Sequence, residues 1–391
     1  MPLADRTTTI QPSMTLAIAS RAKALAATGI DVCNFGVGEP DFNTPAHIRE
    51  AAKAALDAGK TKYAPAGGVP RLRALIAEKL RRENGLSYAP EQVMVSTGGK
   101  QALFNVLLSL LSPGDEALIP IPYWVSYPEI VKLCRAKPVF IPTTEETGFK
   151  VTPEQVAAAI TPRTRVLIFN SPSNPTGAIY TPEEIEALAE VVVAHRIAVL
   201  SDEIYEKLLY DGARHLSIGS LGEEIFNLTI TCNGFSKAYA ATGWRLGYAA
   251  GPQHVIQAAI DIQSHSTSGA NTFAQYGALA ALEGSQDEVE IMRQHFERRR
   301  DLMLAGVRAI PGLTCPRPQG AFYVFPNIAA TGLDSMTFCE RLLEQEHVAI
   351  VPGIAFGADA NVRLSYATDR ATIEKGLGRL ARFVGNGRIS K

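Results

Sequence analysis

Between Gln92 and Gly251, short runs that are apolar at nearly every position alternate with stretches of helical spacing. Residues 93–95, 116–119, 138–141, 165–169, 197–200, 228–231 and 245–250 read as strands, with helices at 99–111 and 182–194 among the segments between them. Continuous apolar runs belong to strands covered on both faces. Their alternation with helices predicts an α/β fold with a mostly parallel, doubly wound sheet of seven strands. Ligands of such sheets sit beyond the carboxyl ends of the strands.

The flanks read differently. Residues 15–27 have apolar positions at helical spacing, with Ser13 after Pro12 as a cap and Gly29 as a stop. Helices follow at 45–58, capped by Thr44 with Pro45 in the first turn, and at 71–84, stopped by Gly85. From about Asp287 a long charged helix (288–308) leads to Gly320-Ala-Phe-Tyr-Val-Phe325, a helix at 338–346, a strand at 347–351, a loop, a strand at 362–366 and a final helix. This is a smaller α+β lobe, in which the cluster Arg298-Arg-Arg-Asp301 is expected to be a solvated face. The expected organisation is an N-terminal segment (1–45) joining the small lobe, a large domain (46–287) and a small C-terminal domain (288–391).

Composition narrows the classes. The chain has 391 residues, 46% of them apolar, and a net charge of −1, so no broad attraction to nucleic acid or an anionic membrane is expected. The longest apolar stretch, 103–111, is too short to span a bilayer and contains Asn105 and Ser109. The N-terminus has no basic region followed by an apolar core, the mark of a signal peptide. Five cysteines are scattered without a CxxC pair, so a disulfide framework or zinc site is not expected and a reducing, cytoplasmic location is.

Candidate chemistry sits at the predicted strand ends. The run 228–231 delivers Lys237 to a turn of small residues, with Arg245 eight positions on. A desolvated lysine is a nucleophile towards aldehydes, and an arginine suits a phosphate; an aldehyde bearing a phosphate is pyridoxal phosphate (PLP). Taken alone, the pair is equally a surface lysine and a salt-bridged arginine. Ser96-Thr-Gly-Gly-Lys-Gln-Ala-Leu103 joins a strand to a helix start, either a phosphate cradle or a plain tight turn. Asn170-Ser-Pro-Ser-Asn-Pro-Thr-Gly177 is a rigid loop that holds Asn174 at the sheet edge, for a ligand hydroxyl or for its own backbone. Asp202 ends an apolar strand, where it either pairs with a cation such as a protonated pyridine or caps a helix; Tyr205 follows three residues on. Arg363 stands alone in an apolar strand and wants a carboxylate, from a substrate or from within the chain. Phe35-Gly-Val-Gly-Glu-Pro-Asp-Phe42 lacks the spacing of a dinucleotide fingerprint, and its glycines suggest a close backbone approach.

In order along nearly the whole chain stand GEPDF, KY, GGKQALFN, PYWVSYPE, NSPSNPTG, SDEIYE, SKAYAATGWRLGY, GAFYVFP and VRLSYA. This set strongly resembles the class I/II aminotransferases among the fold-type I PLP enzymes. It is closest to the bacterial aspartate aminotransferase subgroup in which a lysine of the GGK turn reads dicarboxylates. The resemblance implies a PLP-dependent exchange of the amino group between L-aspartate and 2-oxoglutarate, with small amino and oxo acids as its only partners besides a second copy of the chain. An aromatic or prephenate aminotransferase, or a PLP lyase on the same fold, is the alternative. It implies that Lys237 links the cofactor and moves the substrate proton, and that Asp202 pairs with the pyridine nitrogen. Tyr205 and Asn174 would hold the ring hydroxyl, and Trp124 would stack on the ring. Arg245, Ser236 and the turn Gly98, Gly99 and Lys100 would take the phosphate. Tyr63 would reach the cofactor of a neighbouring subunit, which requires a homodimer. Arg363 would fork the α-carboxylate under the backbone of Gly38, while Ser13 and Lys100 would meet the distal carboxylate. No metal is implied. Two positions depart from relatives: Gly234 stands where some carry a hydroxyl, and Gln11 where prephenate-accepting ones often carry lysine.

Overall fold

The computed structural model describes Met1 and residues 3–385; positions 386–391 of the expected C-terminal lobe lie outside them. The central sheet holds seven strands: β1 (Val93–Ser96), β2 (Glu116–Ile121), β3 (Lys137–Pro142), β4 (Thr164–Asn170), β5 (Ala198–Asp202), β6 (Thr229–Gly234) and β7 (Gly247–Ala250). Their spatial order is β1-β7-β6-β5-β4-β2-β3. All pairings are parallel except those of β7, which runs against both β1 and β6. β1, β6 and β7 are buried at every position, as their unbroken apolar or small-residue runs require.

Three helices matter for the site: α1 (Met14–Ala27), α2 (Gly99–Leu110) and α3 (Asp287–Arg308). α2 starts in the turn after β1 and buries Ala102, Leu103, Val106 and Leu107 against the sheet. Each such side chain contributes about 1.5–3 kcal/mol for the larger ones. That burial holds the helix N-terminus at the carboxyl edge of the sheet.

A second core gathers Phe296 of α3, Phe322, Phe338 and Phe383. Over it lies a three-stranded antiparallel sheet of Val351–Pro352, Val362–Ser365 and Tyr323–Val324. Cys33–Asn34 pairs in parallel with Val348–Ala349, so the N-terminal segment is tied to these C-terminal elements.

Several local expectations change. The expected strand at 347–351 is two short strands, because Val348–Ala349 pairs with the N-terminal segment and Val351–Pro352 with a different partner. Thr44 does not cap the next helix: it is buried, and its hydroxyl donates to the Ala240 carbonyl at 2.8 Å, while Pro45 takes the cap position. Ser13 occupies the cap of α1, but its side chain makes no capping bond. Arg245 does not open a strand. It follows a short 3-10 turn (Thr242–Trp244) with φ +52°, and β7 begins at Gly247. The cluster at 298–301 is not one solvated face: Arg298 is exposed, Arg299 pairs with Asp41 at 2.7 Å, and Arg300 is fully buried and forked by Asp211 at 2.7 and 2.9 Å. A buried guanidinium is tolerated there because its charge is matched. All five cysteines are free and buried.

Candidate active site

A cavity of about 450 Å³ opens beyond the carboxyl ends of β4, β5 and β6, roofed by α1 and the loop after Cys33–Asn34. Lys237, Asp202, Tyr205, Asn174, Trp124, Lys100, Gly99, Ser236, Arg245, Gly38 and Arg363 all line it. They come from seven separate stretches of sequence.

Lys237 follows β6. Burial draws its ammonium down to about 8; Glu39 opposes this, and the charges of Arg363 and Arg245 add to it. Its Nζ donates to the Gly38 carbonyl. Asp202 ends β5, and burial pushes its carboxyl up to about 6 against the hydrogen bonds it accepts. Those come from the Tyr127 hydroxyl at 2.7 Å and the Ile204 N–H at 3.3 Å. A buried carboxylate so raised is a site for a cation. Tyr205 is held by a hydroxyl–hydroxyl bond with Tyr323 at 2.8 Å, and burial keeps its phenol well above the ordinary value, so it stays a donor.

Arg363 is 3% exposed. It donates to the Asn174 side-chain oxygen and to the Gly36 carbonyl, each at 3.0 Å, and lies 4.4 Å from the Tyr323 ring centre. Its buried Nε has no partner, and no carboxylate pairs with it among the described residues. The internal acid that the sequence left open is therefore not there. With its oxygen taken by Arg363, Asn174 presents its amide N–H₂ as a donor. Asn170 steadies this loop, accepting from the Asn174 N–H at 2.9 Å and donating to the Asp202 carbonyl at 2.9 Å.

The α2 end is shaped by glycine. Gly98 has φ +90°, and a Cβ there would lie 2.5 Å from Arg245 Nη2. A Cβ on Gly247 would lie 2.2 Å from the Gly99 nitrogen. This close stacking sets the Arg245 guanidinium against the first turn of α2, where the Gly99 and Lys100 N–H groups lack intrahelical partners while those of Gln101 and Ala102 donate to the Gly98 carbonyl. Gly234 is equally constrained: a Cβ there would stand 3.0 Å from both Gly247 Cα and the Leu246 oxygen. A side chain there would press on this backbone by a few tenths of an ångström. Lys100 reaches over Trp124, 4.9 Å from the ring centre, and partial burial and Arg245 lower its ammonium.

Three expected residues are not on the cavity wall: Gly98, which sits one position before the lining residue Gly99, Tyr63 and Ser13. Tyr63 is 93% exposed and does not line this chain's cavity. Ser13 lies beside the site, its hydroxyl paired with that of Thr15 at 2.9 Å, and it is Thr15 that lines the wall. Sequence reasoning missed Tyr127, Tyr323, Glu39 and Asn170. All four sit inside recognised motifs, but the aromatics there read as core packing, and only the fold shows which side chain meets which partner.

The residues fit PLP. A cradle at a helix N-terminus with an arginine suits the phosphate, a softened lysine suits the aldehyde, and a raised buried carboxyl suits the pyridine nitrogen. The chain belongs to the aminotransferase class I and II family, whose model matches residues 30–380. It is 52% identical to an aspartate aminotransferase of Geobacillus stearothermophilus, over 98% of this chain and 99% of that one. It is 49% identical to an aspartate/prephenate aminotransferase of Cereibacter sphaeroides, over 97% and 98%. The solved aspartate aminotransferase of Thermus thermophilus with maleate superposes with a TM-score of 0.95 at 48% identity, covering 98% of this chain and 99% of that one.

Proposed function

We propose that this chain transfers the amino group between L-aspartate and 2-oxoglutarate, giving oxaloacetate and L-glutamate, with PLP held in the cavity described. One observation carries the reading. A buried Arg363 without an acidic partner and a second cation, Lys100, face the same cavity as the softened Lys237. A substrate with an α-carboxylate and a distal carboxylate satisfies both cations.

Bound PLP supplies an electron sink for the pair left when the substrate Cα–H bond breaks. The protein does the rest. Lys237 anchors the cofactor, and its neutral amine then takes the Cα proton, a role that its drop to about 8 suits near neutral pH. Asp202 keeps the proton on the pyridine nitrogen as a buried anion beside it. Tyr205 and the Asn174 amide donate to the ring hydroxyl, and Trp124 covers a ring face. Arg245, Ser236 and the turn Gly98–Gly99–Lys100 hold the phosphate. Arg363 forks the α-carboxylate, with Gly38 closing over it, and the Ser13–Thr15 hydroxyl pair and Lys100 meet the distal one. α1 and its roof exclude water. The exposed Tyr63 completes the site of a second copy, making the enzyme a homodimer. The same reading divides the chain into an N-terminal segment (1–45), a PLP-binding domain (46–287) and a small domain (288–391), and keeps it in the cytoplasm. No helix among the described residues is long and apolar enough to cross a membrane.

The test is a half-reaction screen: mix the holoenzyme with single amino acids, follow the cofactor absorbance and identify the oxo acid released. Aspartate and glutamate should react fastest. Preferential reaction of phenylalanine would favour the aromatic reading, and release of ammonia would favour a lyase.

A further inference from the structure

α1 carries two neighbouring stripes. Met14 and Ile18 pack on the cluster of Phe325, Val351 and Phe356, and Ala22 on Leu343 and Ala349. One residue further on at each step, Thr15, Ala19 and Lys23 line the cavity. Positions four apart share a helix face, so the second stripe runs along the cavity wall. The eight steps from Thr15 to Lys23 cover about 12 Å at the helical rise. The cavity thus extends well past the groups that would serve the cofactor.

Its lining holds five cations (Lys23, Lys100, Lys237, Arg245 and Arg363) and two carboxylates (Glu39 and Asp202). Under the aminotransferase reading, Lys237 goes to the cofactor, Arg245 to the phosphate and Arg363 to the α-carboxylate. Lys100 lies over Trp124 and serves a carboxylate close to the ring. Lys23 has no role in that scheme. Its neighbour Arg21 is committed to Glu344 at 2.7 Å, whereas Lys23 has no ion-pair partner among the described residues.

We propose that Lys23 is a specificity-determining residue that takes the distal carboxylate of dicarboxylic amino and oxo acids longer than glutamate. It rests on the reading of the site as an aminotransferase. A short dicarboxylate ends at Lys100. A longer one extends along the α1 stripe towards a flexible, solvent-open ammonium. The contact is charge-assisted but partly screened, which sets a modest size for its effect.

The test compares wild type, Lys23→Met and Lys23→Arg as holoenzymes in single-turnover reactions with L-aspartate, L-2-aminoadipate and L-phenylalanine. In Lys23→Met, the ratio of second-order rate constants for 2-aminoadipate over aspartate should fall about three- to tenfold. The phenylalanine-to-aspartate ratio should stay put, and Lys23→Arg should restore the 2-aminoadipate ratio. The difference between variants should shrink in about 0.5 M salt. Equal losses on all three substrates, an unchanged ratio, or a wild type that ignores 2-aminoadipate while using aspartate would overturn the role of Lys23 alone. A wild type that transaminates neither dicarboxylate would overturn the reading beneath it.

Discussion

Arg363 donates from Nη1 to the Asn174 side-chain oxygen at 3.0 Å, joining two residues 189 positions apart. One comes from the strand Val362–Ser365, the other from the loop after β4. The bond orients both groups at once: it leaves one edge of the guanidinium, with its unpartnered Nε, for a ligand, and turns the Asn174 amide N–H₂ into a donor.

Replacing Arg363 with lysine keeps the charge but removes the planar fork. The expected loss in kcat/KM is about 2–5 kcal/mol, of similar size for aspartate and phenylalanine, because the α-carboxylate is common to both. Steady-state kinetics with the two substrates checks it. A loss confined to aspartate would assign Arg363 to the distal carboxylate instead.

Lys237 should titrate early. Its folded value of about 8 lies below the ordinary 10.5, so the amine is neutral above about pH 8. Capture of PLP by the apo-protein, followed by absorbance, should speed up with pH and level off there. The linkage has a definite sign: below pH 8 the depressed value is a constant cost to the fold, relieved as pH rises towards 10.5. Apo wild type should therefore gain stability relative to Lys237→Met across that window.

Next to Asp202 in sequence, Glu203 belongs to a buried polar cluster. Lys79 pairs with Glu206, and both bond Asn84, whose amide also reaches Glu203; His215 and Ser217 donate to Glu203 at 2.8 and 2.6 Å. Lys79→Met should destabilise by about 3–5 kcal/mol in urea unfolding, since it strands a buried carboxylate. Lys79→Met with Glu206→Gln should recover much of that. Burial would raise Glu206, but Lys79 and His215 hold it at about 2 against an ordinary 4.5. Its contribution is present above pH 4.5 and fades as pH falls towards 2.

Gly98→Ala should weaken PLP retention at least about tenfold. The substitution strains a φ of +90° and drives a methyl into the Arg245 guanidinium, a backbone cost alone of about 1–2 kcal/mol. Equilibrium dialysis with PLP measures it, and a dissociation constant equal to wild type would remove Arg245 and Gly98 from the phosphate site.

The proposed shared site predicts complementation. Tyr63→Ala and Lys237→Ala homodimers should both be impaired, while unfolding and refolding them together should create one intact site per mixed dimer. Failure to regain activity, with dimers present on a sizing column, would place Tyr63 outside the site.

The elements were legible because burial on both faces leaves an apolar signature: all seven sheet strands overlap the predicted runs, with ends that differ by at most three residues. Lys237, Asp202 and Asn174 stood out as candidates because each ends or follows an apolar strand, and Gly98–Lys100 because they form a glycine turn, whereas Trp124 and Tyr63 were named only by the family resemblance. Arg245 was misplaced because its left-handed backbone is imposed by β7 reversing direction in the sheet, which no local run announces. Arg300 was misplaced because its partner Asp211 lies 89 positions away. Tyr127 and Tyr323 look like core aromatics until their hydroxyls are seen to meet Asp202 and Tyr205.

Local sequence determined the elements, the turn glycines and the chemical kinds of group on offer, since periodicity and side-chain chemistry are properties of neighbouring residues. Only the tertiary structure decided what those groups became. Burial lowered Lys237 and raised Asp202, and packing turned α1 so that Thr15 and Lys23, rather than Ser13, face the cavity. Desolvation and charge pairing depend on atoms brought together from distant parts of the chain, and the linear order does not contain those distances.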